Sequence, residues 1–510
     1  MKWNKLSLSL LLLTIILLFF TSRAYQNQAL SFHFVDEEDN IVLGSYLLKG
    51  EKLYSDLFSH HQPLAYIASA GVQKITNPNT LFLLIKRHRE VVIAWSALWS
   101  VILVARFGCP LFLFTAIYEP LKIFLLGNLF LAESLVVYPL VYLISALLFL
   151  KKGLARQELI FLGFCFTLIL WLLTPLWPIL LFAFFIFLYK ERLKKISWLL
   201  LGTIPLVLLA ASFISLKDYW HNAFYINLFY YIPATSKKSI LETITYAFIS
   251  PFTSFFYWTG RSATLQITQL LTALLMISWL VIIKKGGWKL PSLMFVLLGL
   301  TNLRYVSLGQ QEYSGFHLLP WFASLILIST TSAFLIWKKY SFGRVIKVIF
   351  VLIVTALIWV VIRESGQRLF TPHNIFQDFY IKYSRQEDFG RAIKIMKEKE
   401  EKLFVVPDEW LVYWQADIAH ASKMVNYYAW MADVEEIKNP LHKMFSENPP
   451  TYFYCDRCRF GYFGLEEFFP KYQKIKKDGS ETNLMVLKEK VKNINEEQKR
   501  ELDYFRFTFE

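Results

Sequence analysis

Long apolar runs set the pattern of this chain. Runs long enough to form membrane helices fall at eleven places: 4–22, 91–107, 109–126, 129–150, 157–173, 175–189, 196–215, 262–283, 290–308, 315–337 and 343–362. A helix needs about 20 mostly apolar residues to cross the hydrocarbon core of a bilayer. Several of these runs are shorter, or adjoin through Pro and Gly. The pattern predicts a polytopic α-helical membrane protein with about 11 transmembrane helices.

The loops between the runs predict the orientation of the chain. Four of them are basic: "KKGLARQ" (151–157), "YKERLKK" (189–195), "IKKGGWK" (283–289) and "WKKYSFGR" (337–344). Basic loops remain on the cytoplasmic side, so we expect a cytoplasmic N-terminus. The first run has a basic start and no small-residue cleavage pattern, which favours an uncleaved span in the cell membrane. Segments 23–90 and 216–261 and the tail after 362 would then be extracytoplasmic.

The first outer loop, 23–90, is too long and too patterned to be a simple connector. Within it, "NIVLGSYLLKG" repeats apolar residues at helical spacing and ends at Lys49-Gly50, a favourable helix C-terminus. "PLAYIASAGVQKI" is a second amphipathic stretch. We expect both helices to lie on the membrane surface. The aromatic loop 216–261 fits either an interfacial belt or a surface for a prenyl chain or sugar ring.

The composition changes near residue 365. A charged helical stretch precedes "LFVV", and "PPTYFYC" and "NLMVLKEK" are further strand candidates. The pattern predicts a small extracytoplasmic α/β domain over 363–510, after a transmembrane domain over 1–362.

The overall composition supports the membrane class. Of 510 residues, 55% are hydrophobic and 18% are charged, whereas soluble domains carry roughly 25% charged residues. The net charge of +15 comes from basic residues in short loops, so we expect no nucleic-acid partner. Cys109 and Cys165 lie in apolar runs and are expected to pack. Cys455 and Cys458 form a single CxxC, which lacks the four ligands of structural zinc and fits a local disulfide or two idle thiols better.

Several ionisable residues are expected at the outer ends of the spans. Asp36-Glu37-Glu38-Asp39 follows the first span, and acids at such a position can simply complement a helix N-terminus. Glu133 is flanked by apolar residues, and ionisable groups there are costly and often functional. Arg304 and His317 fall near the outer ends of the ninth and tenth runs. A lone His more often packs than ligates, but the shared outer placement of these groups favours a common site.

The first outer loop resembles that of the GT-C superfamily of membrane glycosyltransferases. The nearest group is the bacterial relatives of the protein O-mannosyltransferases and the aminoarabinose lipid A transferase. The matching residues are Asp36-Glu37, Gly50, "YSDLF" (54–58), His60 and Pro63-Leu64, with Gln62 where the group has a first proline. "LAESL" supplies the second acid, Glu133. "FHLLPW" (316–321) matches a further element, with Leu318 in place of an aromatic residue.

The resemblance implies transfer of a hexosyl or pentosyl group from a polyprenyl-phosphate donor to a glycan, lipid or protein acceptor in the cell envelope. Inversion at the anomeric carbon would use Asp36 as general base, although the register leaves Glu38 and Asp39 open. Glu37 or Glu133 would orient the acceptor or the base. Arg304 and His317 would contact the donor phosphate.

Tyr54, Asp56 and His60 would complete the substrate-binding set. Relatives of this kind are generally metal-independent, so no cofactor is expected. The acid-rich site leaves Mg²⁺ or Mn²⁺ open.

Two other classes remain as alternatives. A transporter or flippase of lipid-linked sugars should carry charged or broken-helix sites at mid-membrane, often in repeated halves, and the sequence shows neither. A structural or assembly protein would not need acids and cations aligned at one face.

Overall fold

The computed structural model describes residues 5–149, 154–190, 193–235, 239–256, 262–304, 315–340, 343–456 and 462–509. The chain divides into two compact units. Unit 1 comprises Met1–Ala29, His88–Leu209 and Lys238–Asn374, and unit 2 comprises Leu30–Arg87, Ala210–Lys237 and Ile375–Glu510.

All eleven predicted apolar runs contain a helix. These helices are α1 (Lys5–Asn27), α4 (Leu81–Phe107), α5 (Cys109–Leu121), α6 (Ala132–Phe149), α7 (Arg156–Leu172), α8 (Trp177–Lys190), α9 (Leu193–Phe213), α13 (Ala263–Gly286), α14 (Lys289–Leu300), α15 (Leu319–Lys339) and α16 (Arg344–Leu369). Seven helical segments of the described chain have the length and hydropathy to cross a membrane, namely those of α1, α4, α6, α9, α13, α15 and α16. The chain is therefore a polytopic helical membrane protein.

Helix α4 extends further than its apolar run predicts. It begins at Leu81, ten residues before the predicted start at 91, so the predicted loop 23–90 ends inside a helix. Polar residues continue this helix because they are satisfied within the protein. Arg89 is buried and donates a hydrogen bond to the carbonyl of Ala29 over 2.7 Å. Gly108 then separates α4 from α5 with φ +74, a left-handed conformation that glycine adopts without steric cost.

Unit 1 is built around α15, which is buried from Leu319 to Ala333 and packs against α5, α6 and α13. Several of its small polar residues donate to backbone carbonyls; Ser329, for instance, donates to the carbonyl of Leu271 on α13. Helices α7 and α9 approach each other at two glycines. A Cβ on Gly163 would lie 1.9 Å from the Leu199 carbonyl oxygen, and one on Gly202 would lie 2.0 Å from that of Ile160. Such contacts between small residues drive helix association in membranes, where apolar burial contributes little.

The region 216–261 is largely helical, although the sequence indicated only an aromatic loop. Short turns, α10 (Leu216–Trp220), two π-helical turns at His221–Tyr225 and Asn227–Tyr231, and α11 (Ile232–Thr235), lead to α12 (Ile240–Thr253). Ser239 and Glu242 form a complete capping box at the start of α12. This Ser-x-x-Glu signature was readable in the sequence.

Unit 2 contains the predicted α/β tail together with the first outer loop. Its remaining elements are α2 (Val35–Leu48), α3 (Leu64–Thr76), α17 (Ile375–Met396), β1 (Lys402–Val406), α18 (Leu411–Ala416), β2 (Ala419–His420), α19 (Glu435–Glu447), β3 (Tyr452–Cys455), β4 (Tyr472–Lys477), β5 (Ser480–Leu487), α20 (Lys488–Lys492), α21 (Glu496–Tyr504) and β6 (Phe507–Phe509). The six strands form one sheet in the order β2-β1-β3-β5-β4-β6. The pairs of β1 are parallel and the other pairs are antiparallel.

The predicted first-loop helices are both present, but α2 does not lie with one face in lipid. Residues Glu37–Leu47 are buried, and α2 packs against α3 and α18. The Tyr46 hydroxyl donates to the Ile418 carbonyl over 2.8 Å. The first outer loop and the tail thus belong to the same compact unit. The sequence-based division at residue 362 assigned the loop to the transmembrane domain, and the compact units differ from it in this respect.

Candidate active-site residues

The four acids of the first loop have different surroundings. They occupy the first turns of α2, as expected for residues that complement a helix N-terminus. Glu37, Glu38 and Asp39 are buried, whereas Asp36 is only partly buried. Of the four, Asp36 is therefore the one that a substrate hydroxyl can approach with the least rearrangement.

Asp39 belongs to a buried hydrogen-bond relay. The Tyr66 hydroxyl donates to Asp39 Oδ2 over 2.6 Å and lies 2.8 Å from the Ser59 hydroxyl. Because Tyr66 has one proton to give, Ser59 must donate to Tyr66, and Ser59 in turn accepts the backbone N–H of His61. Burial raises the pKa of Asp39 from 3.8 to about 7, against the opposing effect of the Tyr66 hydrogen bond. The relay connects α2 to the segment that carries His60.

His60 lies in an aromatic cluster. Its ring centroid is 3.9 Å from that of His61, 5.1 Å from Tyr231, 5.3 Å from Tyr428 and 5.4 Å from Trp430. The His60 carbonyl accepts a hydrogen bond from Asn227 over 2.6 Å. Rings collected from three distant segments create the stacking faces that carbohydrates and prenyl chains use.

The side chains of Tyr54 and Asp56 form hydrogen bonds with backbone groups of their own loop. Tyr54 is buried with φ 76, and its hydroxyl donates to the His61 carbonyl over 2.9 Å. Asp56 accepts the backbone N–H of Lys52 over 2.9 Å in an exposed turn. Both contacts shape the loop that leads to His60, while the predicted contact of these side chains with substrate remains a prediction.

Glu133, Arg304 and His317 meet in unit 1. Glu133 is buried at the start of α6, and its Oε1 lies 2.9 Å from Arg304 Nη1 and 3.2 Å from His317 Nδ1. His317 precedes α15, and Arg304 follows α14. The sequence placed these three residues at one face but did not indicate that they share one carboxylate oxygen.

A second buried acid in unit 1 is fully compensated. Glu119 Oε2 lies 2.7 Å from Lys122 Nζ, and Glu119 Oε1 accepts the Tyr138 hydroxyl over 2.6 Å. The Ser100 hydroxyl also points to this carboxylate over 3.3 Å. With both charges about 1–2% exposed, this network is a structural ion pair.

Trp410, just before α18, and the segment after β2 contribute residues that the sequence did not single out. Trp410, Asn426 and Trp430 each have a buried side-chain N or O atom without a hydrogen-bond partner among the described residues. The Tyr428 ring packs edge-to-face against those of Trp410 and His60. Burial together with the charges of Asp39 and Asp36 raises the pKa of Tyr428. Buried donors beside aromatic faces are suited to a polyhydroxylated ligand, since each unpaired polar atom otherwise costs free energy.

The cysteines follow the sequence interpretation where they are described. Cys109 and Cys165 are free, with Cys165 buried. Cys455 is disulfide-bonded, and Cys458 lies outside the described residues.

The comparisons with known proteins give a match among solved structures. No protein-family model and no curated protein matches the chain. Among solved structures, the crystal structure of ArnT from Cupriavidus metallidurans bound to undecaprenyl phosphate is similar, with a TM-score of 0.51 and 10% sequence identity. The likeness covers 93% of this chain and 97% of that chain. The chain therefore has the fold of that structure over nearly its whole length, as the first-loop resemblance implies.

Proposed function

We propose that the chain is a membrane glycosyltransferase that uses a polyprenyl-phosphate-linked sugar as donor. The carrying observation is the likeness over 93% of the chain to a structure bound to undecaprenyl phosphate. The acceptor would be a glycan, lipid or protein at the extracytoplasmic face of the cell membrane. A disulfide at Cys455 supports that location for the tail, because disulfides persist in oxidising compartments.

In the proposed reaction, an acceptor hydroxyl attacks the anomeric carbon as the bond from that carbon to the phosphate oxygen breaks. The electron pair leaves with the lipid phosphate, and the acceptor proton goes to a carboxylate. We assign this proton to Asp36. Glu38 and Asp39 are poorer candidates because Glu38 is engaged with His33 and Asp39 with Tyr66, and both are buried.

Arg304 and His317 are assigned to the leaving phosphate, whose growing charge needs hydrogen-bond donors and cations. Glu133 would fix the orientation of both side chains through its shared oxygen. An Arg guanidinium has five donors in a planar fork, so one contact to Glu133 is compatible with others to a phosphate. His60 and its aromatic cluster, with Trp430, are assigned to the sugar ring.

The proposal is tested by incubating purified full-length protein with labelled polyprenyl-phosphate sugars in detergent. Wild type should release the labelled sugar, and Asp36→Ala should reduce turnover about 100- to 10,000-fold, the usual contribution of a general base. Asp417→Asn, which removes an exposed ion pair with Lys49 in the same unit, is the matched control and should retain activity. Normal turnover by Asp36→Ala would refute the assignment of Asp36 as the general base. Lipid-linked sugar crossing liposomes without turnover would favour transport instead.

A further inference from the structure

A polar cluster in unit 2 is separate from the residues assigned above. His33 and the carboxylates of Glu38 and Glu409 each offer one ligand atom, and these atoms all lie within 4.8 Å of one another. His33 precedes α2, Glu38 is in its first turns, and Glu409 lies between β1 and α18. Glu38 is buried, and the Glu409 side chain is 12% exposed. Residues from these distant segments thus converge on a volume the size of one ion.

Gln386 on α17 is the second observation that points to a ligand. It is fully buried, and its Nε2 is placed 3.2 Å from His33 Nε2 and 3.5 Å from Glu38 Oε1, while its Oε1 has no partner among the described residues. His33 Nε2 also contacts the Glu38 carboxylate, and it carries a proton if it donates to that carboxylate. This proton would then face the N–H group of the Gln386 amide, so that two donors would oppose each other. Turning the amide by 180° replaces that donor with the unpartnered oxygen, and the choice between the two is an assignment. In the turned orientation, the carboxamide would present an oxygen ligand to the cluster.

The negative charge of the cluster is also only partly neutralised by the neighbouring arginine. Arg385 is shared between Glu409 and Asp456, at 3.5 and 3.4 Å, and its side chain is 55% exposed. One oxygen of Glu409 has no hydrogen-bond partner among the described residues. The partly solvated Arg385 therefore neutralises the adjacent carboxylates of Glu38 and Glu409 only in part. A divalent cation between them would neutralise their charge more completely.

We propose that His33, Glu38 and Glu409 bind a divalent transition-metal ion, with the Gln386 oxygen as a fourth ligand. An imidazole with carboxylates suits Zn²⁺ first and Mn²⁺ second. Such an ion holds ligands at about 2.0–2.2 Å, so small side-chain rotations would close the cluster around it. The site would fasten α2 to α17 and to the β1–α18 segment. Its role is structural, and it is independent of the proposed transferase activity.

The test uses full-length protein stripped of metal with a chelator and then loaded with Zn²⁺, Mn²⁺ or Co²⁺. Wild type should retain about one Zn²⁺ per chain after gel filtration, gain thermal stability, and give visible Co²⁺ absorption. Glu409→Gln should weaken Zn²⁺ binding at least 10-fold, and Gln386→Leu should alter the Co²⁺ spectrum. Glu51→Gln, which removes another His–Glu contact of unit 2, to His420 at 2.7 Å, is the control and should bind as wild type.

Two results would overturn the site. The first is folded wild-type protein that retains no metal at micromolar Zn²⁺. The second is Glu409→Gln protein that binds with unchanged affinity and an unchanged Co²⁺ spectrum, which would locate the metal at other histidines. If Glu409→Gln fails to fold, the metal content of wild type and the Gln386→Leu spectrum still decide the question.

Discussion

Arg304 donates a hydrogen bond to Glu133, 171 positions earlier in the chain, with Nη1 2.9 Å from Oε1. His317 lies 3.2 Å from the same oxygen. A single buried carboxylate thus orients two side chains that the proposed reaction assigns to the leaving phosphate. Glu133 is in this view a positioning residue, because it acts through Arg304 and His317.

We expect Glu133→Gln to lower kcat for donor turnover about 10-fold or more, with a smaller change in KM. The amide keeps the volume but removes the charge that orients Arg304 and His317, so the loss appears mainly when negative charge develops. Steady-state kinetics with labelled donor measure the split. Arg391→Gln, which removes a surface ion pair with Glu387, should leave both constants unchanged. An effect on KM alone would assign Glu133 to ground-state binding.

Lys122→Met should destabilise the protein by about 3–5 kcal/mol, because it leaves Glu119 buried without its cation. The double variant Glu119→Gln with Lys122→Met should recover much of that loss, since the unpaired charge is gone. The thermal midpoint of the purified protein in detergent reports both effects. A double variant as unstable as the single one would mean that packing around Lys122, rather than charge, sets the cost.

Stability should fall as the pH rises from about 4 to about 7 and level off above that range. The pKa of Asp39 is raised to about 7 in the fold, so the folded state binds a proton that the unfolded chain has released. At 1.36 kcal/mol per pKa unit, this residue contributes at most about 4 kcal/mol.

Thermal midpoints measured between pH 4 and 8 test this dependence. Asp39→Asn should flatten the profile between about pH 4 and 7. An unchanged profile in Asp39→Asn would show that Asp39 titrates near its ordinary pKa.

Trp430→Leu should raise the KM for the sugar-bearing donor about 10-fold and leave the affinity for sugar-free polyprenyl phosphate unchanged. The Trp430 ring lies edge-to-face with that of His60 at 5.4 Å between centroids, and its buried N–H has no partner among the described residues; both features suit a sugar ring. Kinetics and a direct lipid-binding measurement separate the two ligands. Trp288→Leu, at an exposed position, is the control and should match wild type. An equal loss of affinity for both lipids would indicate that Trp430 contacts the prenyl chain and not the sugar.

The membrane architecture could be predicted from the sequence because the length of an apolar run is enough to indicate a membrane-spanning helix. Each predicted run contains a helix, and α2 ends at Lys49-Gly50 as its pattern indicates. The candidate site was accessible only in part. Side-chain spacing within one segment identified Asp36 and Glu133, whereas the pairing of Glu133 with Arg304 depends on how α6 and α14 are rotated, which no local pattern encodes.

The contribution of the tail to the first loop was not accessible for a related reason. Glu38 accepts the backbone N–H of Leu411, and Tyr66 lies in a relay near Tyr428, but these contacts join segments more than 300 positions apart. A single sequence carries no periodicity at that separation. The α12 capping box, in contrast, was a local signal, and reading it would have replaced the aromatic loop with a helix.

The shared fold of the first loop and the tail affects the timing of biogenesis. Glu38 precedes its partner Leu411 by 373 positions. At about 5–20 residues per second, the ribosome needs roughly 20–75 s to supply that partner. Glu38 and the part of α2 that packs against α18 must therefore wait through the synthesis of most of the membrane helices before these partners exist. Chaperones that protect exposed apolar segments would act on this loop during that interval.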